Sequence, residues 1–213
     1  MNHIPTHNLL AEARPLTRRA MAKLRTRQVV LDAAKRLFTE RGYEAATVRD
    51  IATAAGMSTG AVFANFTDKA DLFNEVTVAD FEALAARMRQ AAEGQDAVDA
   101  ALLAVLSVGY DFNLAQLPLL QATISVSWSH GAAAESRVRD GVNEVVAILE
   151  SVLRRGVDAG QLDKGMDVNL VADLLWQSYI ANFRFAVFDG WNLAQLRERL
   201  ARQVAVILAG FRV

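Results

Sequence analysis

The stretch AAGMSTGAVFANFTDKADL, residues 54–72, decides how the rest of the chain is read. It sets Gly56 and Gly60 among the helix starters Ser58, Thr59 and Asp68, with Phe63 and Phe66 close by. A chain with such punctuation stops and restarts helices within a few turns. Working upstream, Thr47 offers a hydroxyl cap with Asp50 three residues on, and Val48, Ile51, Ala52 and Ala55 form a buried stripe that Gly56 ends. Farther back, Val30, Ala33, Ala34, Leu37 and Phe38 recur at helical spacing up to Arg41 and Gly42, where glycine supplies the cap. Working downstream, Asp68 starts a long helix with Leu72, Phe73, Val76, Phe81, Leu84 and Met88 on one side, running to about Ala92.

Beyond that point the same periodicity predicts longer helices near residues 96–111, 114–130, 134–159, 167–188 and 193–211, with Gly131, Gly160 and Gly165 at joints. No strand-like alternation interrupts them, so the fold class is all-α, with about nine helices. Residues 1–24 are polar, basic and unpatterned, and read as a flexible arm or a frayed helix.

Composition narrows the function. With no cysteine, disulfides, thiolate metal sites and cysteine nucleophiles are excluded. Two of the three histidines lie in the arm, and no zinc-protease, nucleophile-elbow or phosphate-loop motif is present. The chain therefore reads as a non-enzyme with no cofactor and no metal. No secretion signal is recognisable at the amino terminus, and the most apolar run, residues 170–188, carries Asp173, Gln177, Asn182 and Arg184. A cytoplasmic protein without a membrane partner is the expectation. The net charge of −1 is unevenly shared: residues 1–69 hold 11 Lys and Arg against 6 Asp and Glu, and the remainder holds 12 against 18. Positive charge at the front suits a polyanion, although an uneven solvated surface gives the same count.

Two short helices joined by a glycine turn behind a longer helix have the form of a helix-turn-helix, here at about residues 47–66. A helix that enters a major groove exposes small side chains near its amino end while its other face is pinned. The exposed set here is Ser58, Thr59, Ala61, Phe63, Ala64 and Asn65, with Val62 and Phe66 pinned. Thr47 and Lys69 stand at helix amino termini, where free N–H groups also suit phosphate.

These residues resemble the amino-terminal domain of TetR-family transcriptional regulators. The resemblance spans about Thr26 to Leu84 through A-x-x-L-F-x-x-x-G-Y, T-V-x-D-I-A-x-A-A-G, S-x-G-A-V-F-x-N-F and D-K-x-D-L in fixed order. LRRGVDAGQL followed by DVNLVADLLWQSYIANFRFAV looks like the family's ligand-binding domain. The resemblance implies a helix-turn-helix DNA-binding domain at 25–85 and a larger helical ligand-binding and dimerisation domain at 86–213. It further implies a homodimeric repressor that binds a palindromic double-stranded DNA operator and is released by a small-molecule effector. Carried over by position, residues 58–65 form the recognition helix, Thr47 and Lys69 hold phosphates, and Gly60 allows close backbone approach. Many family members have Lys where this chain has Thr59 and Tyr where it has Phe63. Base reading is therefore expected to lean on contacts such as Thr59 or Ala61 against a thymine methyl, with Asn65 as a hydrogen-bonding reader. The arm residues Arg14, Arg18, Arg19, Lys23, Arg25 and Arg27 either restore backbone affinity, enter a minor groove or form a solvated tail.

In the last helix Leu193, Leu196, Leu200, Val204, Ile207, Leu208 and Phe211 approach a heptad stripe, which predicts packing against a second copy. Large aromatics gather in the middle helices. Phe112, Trp128, Trp176, Tyr179 and Phe183 are candidate walls for a hydrophobic or aromatic effector, with Gln177, Asn182 and His130 as polar partners. The alternative is a small-molecule binding protein of the same fold that holds DNA weakly.

Overall fold

A computed structural model describes residues 17–129 and 132–213, and the side chains of 127–136 lie outside that description. Residues 1–16, including Arg14, and His130 also lie outside it. Nine α-helices are present among the described residues: α1 Arg18–Ala45, α2 Val48–Ala54, α3 Thr59–Phe63, α4 Lys69–Ala92, α5 Val98–Leu114, α6 Leu117–Ser129, α7 Ala132–Asp158, α8 Val168–Asp189 and α9 Leu193–Leu208. Ala209–Phe211 close the chain as a 3-10 turn.

Local chemistry sets most boundaries. Thr47 and Asp50 form a reciprocal capping box at α2, and Ser58, Asp68, Asp167 and Asn192 each accept a backbone N–H through their side chains. Between α2 and α3 the turn passes through Gly56 at φ 67°, a left-handed conformation open to glycine. The first helix starts earlier than its apolar stripe indicates. Thr17 caps it, and Arg18 to Leu24 are helical although mostly exposed, because good helix formers extend a nucleated helix without a buried face. Gly42, at φ 76° and ψ 173°, breaks this helix near the predicted end, and a short helical piece follows to Ala45.

Two apolar clusters share α4. Leu72, Phe73 and Val76 join Val30, Ala34, Leu37 and Phe38 of α1, Ile51 of α2 and Val62 of α3, with Phe38, Tyr43 and Phe73 in edge-on ring contacts. Leu119 of α6 is buried in the same cluster. One end of α4 therefore belongs to the short helices, while Leu84, Ala85, Met88 and Ala92 belong to the larger cluster built with α5, α7, α8 and α9. Burial of these side chains is worth about 1.5–3 kcal/mol each for the larger ones, so α4 is held firmly at both ends.

The α9 stripe has a different partner from the one the heptad spacing suggests. Leu196, Leu200, Val204 and Leu208 are at most 1% exposed within the single chain. Helical spacing shows that a face is buried and leaves open what buries it, and here α5 and α8 do so.

Gly109 of α5 leaves room for two side chains from neighbouring helices, Tyr179 of α8 and Met88 of α4. A Cβ at this position would fall 2.6 Å from Tyr179 Oη and 2.7 Å from Met88 Cε. Tyr179 is stacked on Tyr110 with ring centroids 4.7 Å apart, and its hydroxyl accepts a hydrogen bond from Asn113 Nδ2 at 2.9 Å. Gly109→Ala is therefore expected to cost about 1–3 kcal/mol in denaturant unfolding, the usual penalty of overpacking. Unchanged stability would show that the Tyr179 and Met88 side chains make room without loss.

Candidate nucleic-acid interface and apolar cavity

The α2–turn–α3 unit presents one face outward. Val62 and Phe66 are buried at 1% and 2%, while Ser58, Gly60, Phe63 and Ala64 are exposed and Thr59 and Ala61 are half-buried. Phe63 leaves half its surface, 52%, in solvent. A Cβ on Gly60 would meet only Ser58 Oγ at 3.9 Å, so nothing inside the chain requires a glycine there.

The polar groups expected to touch DNA are partly engaged within the chain. Thr47 Oγ1 accepts the Asp50 N–H at 3.1 Å and donates to Asp50 Oδ2 at 2.6 Å. These bonds hold the Asp50 carboxyl below its ordinary value. Lys69 Nζ donates to the carbonyls of Tyr43 at 2.9 Å and Glu44 at 3.4 Å and lies 4.1 Å above the Tyr43 ring, so this cation braces the end of α1. Asn65 turns back on its own helix, donating through Nδ2 to the Ala61 carbonyl at 2.9 Å, and its Oδ1 is buried with no partner among the described residues. One of the two amide N–H donors of Asn65 is therefore engaged at the helix end. Outward positive charge is supplied by exposed Arg18, Arg19, Lys23, Arg25, Arg41 and Arg49.

Arg27 is withdrawn from that set. It donates to the Asn65 carbonyl at 3.0 Å, pairs with Glu75 at 2.6 Å and lies 4.4 Å over the Phe66 ring. Glu75 also pairs with Arg137 of α7. Burial pushes the Glu75 carboxyl up, but the bonds from Arg137 and Arg27 more than offset this and hold it below its ordinary value. The end of α3 is thus tied through α4 to α7.

A cavity of about 190 Å³ lies among α4, α5, α6, α7 and α8. Of the aromatic residues proposed as walls, Phe112 and Trp176 line it, as does Gln177. Tyr179 and Phe183 sit behind the wall at 0% and 2% exposure, in ring contact with Tyr110. They are core residues because Asn113 and Asn182 satisfy the polar groups around them: Asn113 binds Tyr179, and Asn182 Nδ2 donates to Tyr110 Oη at 2.8 Å. Burial pushes the Tyr110 hydroxyl up to about 12, partly offset by the Asn182 bond, so it stays protonated. The Trp128 side chain lies outside the described residues.

Sequence reasoning missed the polar floor of this cavity. Asp80 Oδ2 accepts from Gln116 Nε2 at 2.7 Å, and Asp80 Oδ1 pairs with Lys35 Nζ of α1. Thr77, one turn earlier on α4, is 2% exposed and lines the same space. The signal was present in the α4 stripe, where Thr77 and Asp80 occupy positions that the spacing assigns to the core.

Comparison with known proteins agrees with this anatomy. The family model "Bacterial regulatory proteins, tetR family" matches residues 30–76. The HTH-type transcriptional repressor Rv1474c of Mycobacterium tuberculosis is 48% identical over 60 residues, 28% of this chain and 32% of its own. The HTH-type transcriptional repressor KstR2 of Rhodococcus jostii is 30% identical over 161 residues, 68% of this chain and 71% of its own. Among solved structures, the regulator FadR from Bacillus subtilis in complex with stearoyl-CoA superposes with a TM-score of 0.75 at 19% identity, covering 86% of this chain and 98% of that one. The first curated relatives are matched over 24 to 32% of their own length. Because the KstR2 likeness extends over two thirds of both chains and the family pattern falls on α1 to α4, the chain belongs to the tetR family of bacterial regulatory proteins.

Proposed function

We propose that the protein is a cytoplasmic, non-enzymatic transcriptional repressor that binds a palindromic operator as a homodimer and releases it when a small apolar effector fills the cavity. The observation that carries this reading is the double membership of α4, which starts beside α3 and lines the cavity along its middle, from Thr77 to Leu84. A ligand that biases α4 then biases the position of α3, and a shift in population between two dimer geometries follows. Support for repression comes from the relatives, which are repressors by name. No single helix among the described residues is long and apolar enough to cross a membrane.

One short helix reads few base pairs, so two copies at fixed spacing are needed. The exposed face of α8 offers a contact: Leu170, Leu174 and Phe188 are 56%, 48% and 73% exposed, and Val206 of α9 is 76% exposed. The domain division near residue 85 follows the same logic, with α4 serving both parts.

Gel shifts of the full chain on the DNA upstream of its own gene, at moderate salt, test the reading. A palindromic fragment should be preferred over random DNA by about 10³-fold or more. The second reading, a ligand-binding protein with weak DNA affinity, is favoured by the internal engagement of Thr47, Asn65 and Lys69. An absence of fragment preference would establish that second reading and end the first.

A further inference from the structure

The cavity is walled mostly by apolar side chains, with Asn113, Thr123 and Gln177 as scattered polar groups and one polar cluster that includes a charge. Phe112, Leu120, Val142, Trp176 and Ile180 form walls, whereas Thr77 and Asp80 of α4 gather with Gln116 of the α5–α6 connection. Thr77 and Asp80 are three residues apart on one helix, so their side chains are neighbours on the same face. Asp80 has one oxygen on Lys35 and the other on Gln116, which leaves acceptor capacity on both. Thr77 Oγ1 is buried with no partner among the described residues. A buried hydroxyl without a partner is costly, and a ligand atom that accepts its proton removes the cost.

Charge narrows the ligand further. Asp80 and Lys35 already balance each other at this end of the cavity. A ligand carboxylate would be desolvated beside Asp80, and a ligand ammonium would be added beside Lys35 without a second anion. A neutral hydroxyl fits both requirements, since it donates to Asp80 and accepts from Thr77. Size narrows it again: about 190 Å³ falls below the roughly 300–1,000 Å³ of sites for drug-sized ligands.

We propose that the effector is a compact, uncharged, apolar alcohol whose hydroxyl lies between Asp80 and Thr77. This rests on the cavity being the effector site of the DNA-binding reading above. Burial holds the Asp80 carboxyl above its ordinary value despite its bonds from Lys35 and Gln116, as expected of a carboxylate short of donors. A hydroxyl arriving there also competes for the group that anchors Lys35, and Lys35 belongs to α1 of the DNA-binding half. The chemistry of the head group thus reaches the reading unit.

The test is isothermal titration of the full chain with four probes on one skeleton, 3-phenylpropan-1-ol, propylbenzene, 3-phenylpropylamine and 3-phenylpropanoate, and with stearoyl-CoA as a fifth. The alcohol is expected to bind roughly tenfold tighter than each of the others, the worth of a buried hydrogen bond. In Thr77→Val, which removes only the hydroxyl, the alcohol's advantage should fall substantially while propylbenzene binding is unchanged. Tighter or equal binding by the acid, the amine or the acyl-CoA overturns the proposal. So does full alcohol preference in Thr77→Val, or no binding by any probe at millimolar concentration. Gel shifts on the same samples separate this from the repressor reading: an alcohol preference in a protein with no preferred DNA supports the head-group assignment and defeats only the repressor.

Discussion

Thr59→Glu is expected to lower operator affinity by about 100-fold while leaving thermal unfolding unchanged. Thr59 is the first residue of α3, directly after the Ser58 cap, and is half-buried beside exposed Ser58 and Gly60. A carboxylate in the first turn of a helix interacts favourably with the helix dipole, so the fold has no reason to suffer. The same carboxylate faces phosphates when α3 enters a groove, and like charges brought together at an interface cost several kcal/mol. Three of these are about 100-fold in affinity. Thr59→Lys reverses the sign: it should strengthen binding to all sequences and steepen the salt dependence by about one phosphate contact. Fluorescence anisotropy at fixed salt, paired with circular-dichroism melting, measures both. If Thr59→Glu binds operator as the parent does, α3 is not the DNA-facing helix.

Much of the fold that supports α3 is legible in sequence because its determinants are local. Thr47 with Asp50, Ser58 and Asp68 are caps whose partners lie three residues away, and the structure places each where the residue types put it. The α1 stripe from Val30 to Phe38 is legible for a related reason, since helical spacing alone selects its buried face. Where a side chain's partner is distant in sequence, residue type is a poorer guide. Lys69 looks like a phosphate ligand at a helix start, yet its nitrogen reaches carbonyls 25 and 26 residues away. Nothing near Lys69 in the chain encodes that contact.

The same limit applies to the cavity and to α9. Trp176 and Phe112 line the cavity, but Tyr179 and Phe183, on the same helix as Trp176, are drawn into the core by Asn113, Tyr110 and Asn182 from other elements. For α9 the leucine spacing marks a buried face correctly, and the face is consumed within the chain. Asp80 is the instructive miss. A carboxylate inside an apolar stripe is expensive unless paired, so its presence among Val76, Thr77, Phe81 and Leu84 already implied a partner from elsewhere, which the structure identifies as Lys35.

Leu174→Asp is expected to convert a dimer into a monomer. Leu174 lies between Leu170 and Phe188 on an α8 face that this chain leaves uncovered, and it is 48% exposed, so the substitution opens no core cavity. At the centre of an interface such a change costs about 2–4 kcal/mol, or roughly 30- to 1,000-fold in dimer dissociation. Ser151→Asp on the exposed side of α7 is the control and should leave the mass unchanged. Analytical ultracentrifugation at micromolar concentration reads the difference, and a dimeric Leu174→Asp removes the α8 face from the interface. The effect on DNA follows from coupling two half-sites, because a protein that docks one copy at a time loses an avidity of about 10²–10⁴-fold. That loss has a signature: it shrinks as protein concentration restores the dimer. The defect of Thr59→Glu sits in each copy and stays the same fold-change at every concentration, so the two variants distinguish a broken assembly from a broken contact with DNA.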